Sequence, residues 1–232
     1  MSLALPAMPA GMKASANAAL AVLQNLKADA TAYRGAMIQL GHLLAELLAR
    51  QTIAAGDRIC LAMTVEDADF LGAGALEVFE KAGADVSIAC FWNVRQDAFG
   101  LDWADMAPVV QEYVEPLERI KHLVILKSII SGSCVVRSNL EHLFDTIVPE
   151  QVHIAAPVML TGADERLERE FPRHLVDRFQ YWTFEIDSAK SPDGNVEPGI
   201  GGEVYGRLGL GDKVTKNAVI PELVRRRARK AA

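Results

Sequence analysis

Cys134 is the side chain in this sequence with the clearest potential as a nucleophile. It follows the glycine turn Ser131-Gly132-Ser133 and is predicted to lie at the start of a helix. The positive end of a helix dipole lowers the pKa of a thiol and favours the thiolate. Cys134 is therefore a candidate catalytic residue or ligand contact. The alternative is that it is a small apolar residue that fills a position in the loop.

Acidic residues supply the other candidates for catalysis. Glu66, Asp67 and Asp69 come directly after a predicted buried strand, where they could bind a cation, act as acid or base, or cap the following helix. Clustered carboxyl groups raise the pKa of one member, as general acid–base catalysis requires. Asp187 ends another predicted strand. We select Asp187, Glu66 and Asp67 as candidate catalytic residues and Asp69 as the candidate metal ligand.

Apolar runs alternate with segments of helical spacing along the chain. Buried strands are predicted for residues 58–63, 85–92, 122–127, 151–160 and 181–186, and helices for residues 12–30, 32–51, 69–82, 109–119, 134–144 and 163–170. Near-continuous apolar strands separated by helices are typical of an α/β fold with a mostly parallel sheet and helices on both faces. We expect residues 1–232 to form one domain, with residues 1–30 as an N-terminal arm or helix and residues 216–232 as a basic tail.

The loops that follow the strands are the expected location of a site. Ligands of open α/β sheets bind beyond the carboxyl ends of the strands. The corresponding loops are residues 64–69, 93–100, 127–135 and 187–211. The last of these is rich in glycine and proline, so we expect a structured loop that covers a pocket.

Composition narrows the class of protein. The 232 residues carry a net charge of −6, which argues against a general nucleic-acid binder. The basic C-terminal cluster is either a solvated tail or a phosphate or RNA contact. Three cysteines without paired spacing indicate neither a disulfide framework nor a zinc site and favour a reducing cytoplasm. We expect neither a signal peptide nor a membrane span, because the first residues lack a basic start and no apolar run is long enough.

The end of the chain carries a resemblance to a known family. Phe184-Glu185-Ile186-Asp187 and the later run Val196-Glu197-Pro198-Gly199-Ile200-Gly201-Gly202 resemble the base-binding end of uracil phosphoribosyltransferases. In that family a Val-Pro-Gly-Leu-Gly-Asp run covers uracil, and its backbone groups read the polar edge of the base. Here Glu197 is inserted and Gly202 replaces the acid, for which Glu203 is a candidate substitute. The resemblance implies substrate binding by Val196, Pro198, Gly199, Ile200, Gly201 and Glu203.

The same resemblance places a phosphate loop before the helix that begins at Cys134. In the family, the amides of this loop hold the 5-phosphate of phosphoribosyl pyrophosphate, as helix starts commonly do. The resemblance spans about residues 33–211 and implies a phosphoribosyltransferase-like fold, Mg²⁺ as cofactor and a homodimer. The phosphate-binding residues that it implies are Ser131, Gly132, Ser133, Cys134, Val135, Lys127 and Arg95.

Two departures from the family leave three functions open. Leu126 and Lys127 occupy the place of an acid, and the acidic residues 66–69 replace an Arg-Ala-Gly turn that binds pyrophosphate. The first hypothesis is a transferase of the glycosyltransferase class, which joins a pyrimidine-like base such as uracil to a ribose phosphate. The second is the same fold with different enzyme chemistry in a specialised biosynthetic pathway. The third is a non-catalytic nucleotide-binding or regulatory protein.

Overall fold

The computed structural model describes residues 3–94, 106–192 and 194–231 of the chain. None of the helices among these residues is long and apolar enough to span a membrane. The α-helices are α1 (Ala10–Gln24), α2 (Ala30–Gln51), α3 (Val65–Asp67), α4 (Ala73–Lys81), α5 (Cys134–Phe144), α6 (Ala163–Glu168), α7 (Arg173–Val176), α8 (Val204–Leu208) and α9 (Glu222–Ala231). A π-helical turn, Ala68–Gly72, joins α3 to α4, and a 3-10 turn covers Thr215–Ala218.

The strands are β1 (Arg58–Thr64), β2 (Asp85–Asn93), β3 (Val109–Val114), β4 (His122–Leu126), β5 (Ile129–Ile130), β6 (Gln151–Ala155), β7 (Val158–Leu160), β8 (Phe179–Trp182), β9 (Glu185–Asp187), β10 (Ala189–Lys190) and β11 (Val196–Glu197). They form a central sheet in the order β3-β2-β1-β4-β6-β8 and two smaller sheets. Neighbours in the central sheet are parallel except for β2 and β3. This confirms the predicted α/β class with a mostly parallel sheet.

Three neighbouring strands are interrupted and continue in a second sheet. After short breaks, β4, β6 and β8 lead into β5, β7 and β9, which form a separate parallel sheet. The prediction of single strands over residues 151–160 and 181–186 is therefore wrong. Pro157 lies in one break, where it cannot donate to a strand ladder. Its carbonyl accepts the amides of Phe184, in the next break, and of Glu185, at the start of β9.

Residues 109–119, predicted as a helix, instead contain the edge strand β3. It runs antiparallel to β2, with Val109 opposite Asn93 and Val114 opposite Ala89. The two valines are β-branched and suit a strand, but the apolar residues at positions 110, 113, 114 and 117 also follow helical spacing. The free edge of β2 decides between these alternatives, because it offers a row of unpaired backbone groups.

Helices cover both faces of the sheet, as the strand pattern predicted. Along β1, Ile59, Leu61 and Met63 pack in the core that contains α1, α2 and α4. The intervening Cys60 and Ala62 pack on the other face, in the core that contains α5 and α6. This alternation follows from the period of two residues along a strand.

The segment after β1 is held by a backbone contact between α2 and α4. A Cβ atom on Gly41 would lie 2.0 Å from the carbonyl oxygen of Leu71, and one on Gly74 would lie 2.3 Å from that of Ile38. Only glycine allows helices to approach this closely. The crossing therefore fixes the position of the acidic residues that precede α4.

The two ends of the chain join the main fold. Helix α1, within the predicted arm, buries Met12, Leu20 and Leu23 in the core beside α2. At the other end, the predicted basic tail contains α9, whose Leu223 and Val224 are buried.

Two histidines in neighbouring strands of the central sheet, His122 in β4 and His153 in β6, form a buried hydrogen-bonded chain. Trp182 Nε1 donates to His153 Nδ1 at 3.1 Å, so His153 carries its proton on Nε2. That nitrogen lies 3.1 Å from His122 Nδ1, and His122 Nε2 lies 3.1 Å from Asp57 Oδ2. Every ring nitrogen is satisfied while both rings are neutral. Burial, and secondarily the neighbouring His122, lowers the pKa of His153 from 6.5 to about 3.

We expect the histidine chain to make the fold sensitive to acid. The unfolded chain binds a proton on His153 below pH 6.5, whereas the folded chain does not until about pH 3. Stability is therefore full above this window and falls with pH inside it, by up to about 1.4 kcal/mol per pH unit. His153→Gln keeps an acceptor for Trp182 and a donor for His122 but does not titrate. Urea unfolding across the window should give a shallower pH slope for this variant, and an unchanged slope would contradict the assignment.

Candidate functional site

A cavity of about 540 Å³ lies at the carboxyl ends of the central strands. Glu66 follows β1, Asn93 ends β2 and Lys127 follows β4, and all three line it. The start of α5 forms one wall, and residues 194–205 form another. This is the location expected for a ligand site in an open α/β sheet, and the volume lies in the range of small-molecule pockets.

The start of α5 lines the cavity. Ser131, Gly132, Cys134 and Val135 line it, and Ser133 at the N-cap makes no side-chain capping bond. The first amides of a helix have no partner within the helix, so they are available to an anion. Cys134 is buried and packs with Val135 and Ala107.

Two acidic residues at this site are paired with a buried lysine. Lys127 Nζ donates to Glu66 Oε1 at 2.8 Å and to Asp67 Oδ2 at 3.0 Å. Asp67 Oδ1 accepts the amide of Ser128 at 3.0 Å, in the break between β4 and β5. Burial alone would raise the pKa of Glu66, but the charges of Lys127 and Lys216 hold it well below its usual range. Glu66 is therefore ionised at neutral pH.

Lys216 is a second buried cation on the same carboxylate. Its ammonium lies 3.2 Å from Glu66 Oε2, in an ion contact without hydrogen-bond geometry. It also donates to the Asn217 side chain at 2.9 Å and to the Asn93 carbonyl at 3.3 Å. With Lys127, it balances the charges of Glu66 and Asp67. These four residues are called the charge cluster below.

Asp69 lies outside the charge cluster and caps a distant helix. Its carboxylate accepts the amides of Glu222 and Leu223 at 2.9 and 2.8 Å, at the start of α9. The sequence had suggested a cap for the following helix, but the helix that Asp69 caps is at the other end of the chain.

Asp187 positions the loop that covers the cavity. Its Oδ2 accepts the amide of Gly199 at 2.8 Å, while its carbonyl accepts from the amide and hydroxyl of Thr161. Gly199 has a positive φ of 52°, and a Cβ there would lie 2.2 Å from the carbonyl oxygen of Val196. A buried acid and a glycine thus shape this loop together.

Helices α1 and α2 brace the same loop from the other side. Tyr33 Oη donates to the Ile200 carbonyl at 3.0 Å. Arg207 donates from Nη1 to the carbonyls of Leu23 and Gly201 and stacks over the Tyr33 ring at 4.3 Å. A Cβ on Gly201, whose φ is 77°, would lie 2.1 Å from the Leu23 carbonyl oxygen. The N-terminal helices therefore belong to the structure of the site.

The cavity gathers most, but not all, of the residues singled out in the sequence. Asp67, Asp69 and Asp187 lie behind its lining, in the contacts described above. Arg95 lies outside the described residues. The candidates on the lining are Glu66, Lys127, Ser131, Gly132, Cys134, Val135, Val196, Ile200 and Glu203, while Ser133, Pro198, Gly199 and Gly201 are not on it.

Sequence reasoning missed the polar residues that complete the lining. Those are Asn93, Lys190, Asn195, Tyr205, Lys213, Lys216 and Asn217. Lys190 and Lys213 are exposed and form no ion pair within the described parts of the chain. Asn93 is buried, and its Oδ1 has no hydrogen-bond partner among the described residues. Lys127 could be placed at the site from the sequence, because it directly follows the strand β4. Nothing in the sequence around Lys216 indicates that it belongs to the site.

No protein-family model matches this sequence, and no curated protein matches it. Among solved structures, the AQ2163 protein from Aquifex aeolicus is similar over 88% of this chain and 96% of its own, with 16% identity and a TM-score of 0.61. This similarity shows a shared fold over nearly the whole chain.

Hypoxanthine phosphoribosyltransferases are also among the solved structures that match. The enzyme from Staphylococcus aureus has 8% identity, coverage of 66% of this chain and 74% of its own, and a TM-score of 0.44. A point mutant of the enzyme from Trypanosoma cruzi, in a ternary complex with substrates, has 10% identity, coverage of 66% and 78%, and a TM-score of 0.42.

We expect Asp187→Ala to loosen the loop over the cavity. Removing the acceptor leaves the buried Gly199 amide without its partner, which costs about 1–3 kcal/mol. Thermal unfolding and hydrogen exchange at residues 196–202 measure the effect. Asp187→Asn is the matched control, because its carbonyl oxygen can still accept from Gly199. If Asp187 acted on a substrate through its charge, Asp187→Asn would lose ligand binding or turnover as fully as Asp187→Ala.

Proposed function

We propose that the cavity binds a phosphorylated ligand with a planar ring, and that the protein is a phosphoribosyltransferase-like transferase that acts on a pyrimidine-like base such as uracil. The observation that carries this proposal is that one cavity has the start of α5 on one side and the loop containing β11 on the other. In this proposal the phosphate lies at the start of α5, and the loop covers the ring. The homodimer suggested by the sequence resemblance belongs to the same proposal.

The phosphate end of the ligand would lie at the start of α5. The amides of residues 132–135 and the α5 dipole favour a negative charge there. A Cβ on Gly132 would meet no atom within 4 Å, so the space beside the turn is open. Lys190 and Lys213 add positive charge around the same cavity.

The ring end would lie beneath the loop that Asp187 and Tyr33 hold in place. Val196, Ile200 and Val204 supply apolar surface to the cavity, and Tyr205 lies beside them. Backbone groups near Gly202 are accessible to the edge of a ring. The buried Asn93 Oδ1 calls for a donor, which an N–H or O–H group of the ligand could provide.

The chemistry in this proposal is mostly positioning. A ring nitrogen displaces pyrophosphate from the ribose, so the nucleophile must be held in line with the bond that breaks. The braced loop would fix the base, and the α5 amides would fix the phosphate. Asp187 would act through the loop, since its carboxylate is engaged with Gly199.

One observation favours the third hypothesis, a non-catalytic nucleotide-binding protein. The carboxylates of Glu66 and Asp67 are ion-paired, and that of Asp69 is used as a helix cap. None of these three carboxylates is therefore free to act as a general base. Binding of nucleotide without turnover would support this hypothesis over the transferase.

Binding and turnover can be tested with a matched pair of variants at Gly132. Calorimetry with phosphoribosyl pyrophosphate and with uridine 5′-monophosphate measures binding, and chromatography after addition of uracil detects a product nucleotide. We expect Gly132→Ala to bind as the wild type does, because a methyl group meets open space. Gly132→Asp places a carboxylate beside the phosphate and should weaken binding at least about tenfold, or about 1.4 kcal/mol.

The results separate the hypotheses. Binding with product formation supports the transferase, and binding alone supports the non-catalytic protein. Equal affinity of the two Gly132 variants would show that the phosphate does not lie at α5. Failure of both phosphorylated ligands to bind would reject the proposed function and favour different chemistry at this cavity.

A further inference from the structure

The three carboxylates that follow β1, those of Glu66, Asp67 and Asp69, are already occupied by other partners. Glu66 Oε1 accepts from Lys127 at 2.8 Å, and Glu66 Oε2 lies 3.2 Å from Lys216 Nζ. Asp67 accepts from Lys127, from Thr64 Oγ1 at 2.7 Å and from the Ser128 amide. Asp69 accepts two amides of α9. Each oxygen of the three carboxylates therefore has a cation or a hydrogen-bond donor beside it.

Mg²⁺, the cofactor implied by the sequence resemblance, does not fit this arrangement. It needs octahedral oxygen ligands, commonly including one or two carboxylates. A divalent ion on Glu66 or Asp67 would lie next to a buried ammonium group, where repulsion is only weakly screened. Within the described residues, no group of three or more His, Cys, Asp or Glu side chains is arranged to hold a metal.

Buried lysines supply the positive charge beside the acids at this cavity. Lys127 and Lys216 are both buried and balance the two buried acids. Lys190 and Lys213 also line the cavity, but they are exposed and lie outside the charge cluster. Among the described residues that form the lining, Glu203 is the only acid besides Glu66. The lining therefore carries a net positive charge. A phosphoryl anion can be bound directly by such a surface.

We propose that this cavity binds its phosphorylated ligand as the free anion, without a divalent cation, with lysine side chains in place of the metal. This inference rests on the proposed function and specifies the form of the ligand. Complexation by Mg²⁺ lowers the charge of a pyrophosphate group and so weakens its attraction to Lys190 and Lys213. Magnesium should therefore reduce affinity or leave it unchanged.

The first test is calorimetric titration of phosphoribosyl pyrophosphate, and separately of inorganic pyrophosphate, in EDTA and in millimolar magnesium. We expect binding in EDTA at least as tight as in magnesium. The double variant Lys190→Met with Lys213→Met should weaken binding in EDTA at least about tenfold, while Lys27→Met, at an exposed lysine outside the cavity lining, should have no effect. Binding that requires magnesium would overturn the inference but leave the proposed function intact.

The second test does not depend on the phosphorylated ligand. Manganese titration of the protein alone, followed by water proton relaxation, should show no stoichiometric site. A stoichiometric manganese site that Glu66→Gln abolishes would overturn the inference. If neither phosphorylated compound binds in either buffer, the proposed function and the free-anion inference both fail. The manganese result still decides whether the lysines exclude a metal from the acidic turn, residues 66–69.

Discussion

The buried charge cluster is the constraint on which the site depends. Ionised groups are costly to remove from water unless they are paired and hydrogen-bonded. Lys127, Glu66 and Asp67 meet this condition only when the segment after β1 and the break after β4 lie side by side. Asp67 also satisfies the Ser128 amide that the strand break leaves without a ladder partner. The pairing therefore adds specificity to the fold, because any shift between these segments would leave a buried charge or amide unpaired.

Backbone contacts at glycine hold the two sides of the cavity in place. Gly41 and Gly74 bring α2 against the helical segment that follows the acidic turn. Gly201 brings the covering loop against the end of α1, where Tyr33 and Arg207 bond its carbonyls. A side chain larger than hydrogen at these positions would separate the elements. The cavity is consequently shaped by rigid elements, which suits a site that acts by positioning.

The chemistry of the cavity follows from how its charges are divided. Glu66 and Asp67, which the sequence suggested as catalytic acids, are ion-paired with buried lysines. The start of α5 and the exposed Lys190 and Lys213 make the rest of the cavity lining positive. Cys134 shares that wall but is buried among Val135 and Ala107. Anion binding is thus better supported by these contacts than acid–base catalysis through Glu66 or Asp67.

The sequence by itself determined the layered α/β architecture and the start of α5, because apolar periodicity and the glycine turn are local signals. It also indicated that residues 64–69, 127–135 and 187–211 belong to one site, since loops after parallel strands share an edge. It could not determine that residues 109–114 form a strand, because the edge of β2 makes that choice. It also could not show that Lys216 pairs with Glu66, that Asp69 caps α9 or that α1 braces the covering loop. Those contacts join residues roughly 150 or more positions apart, and only the folded chain brings their charges and carbonyls within bonding distance.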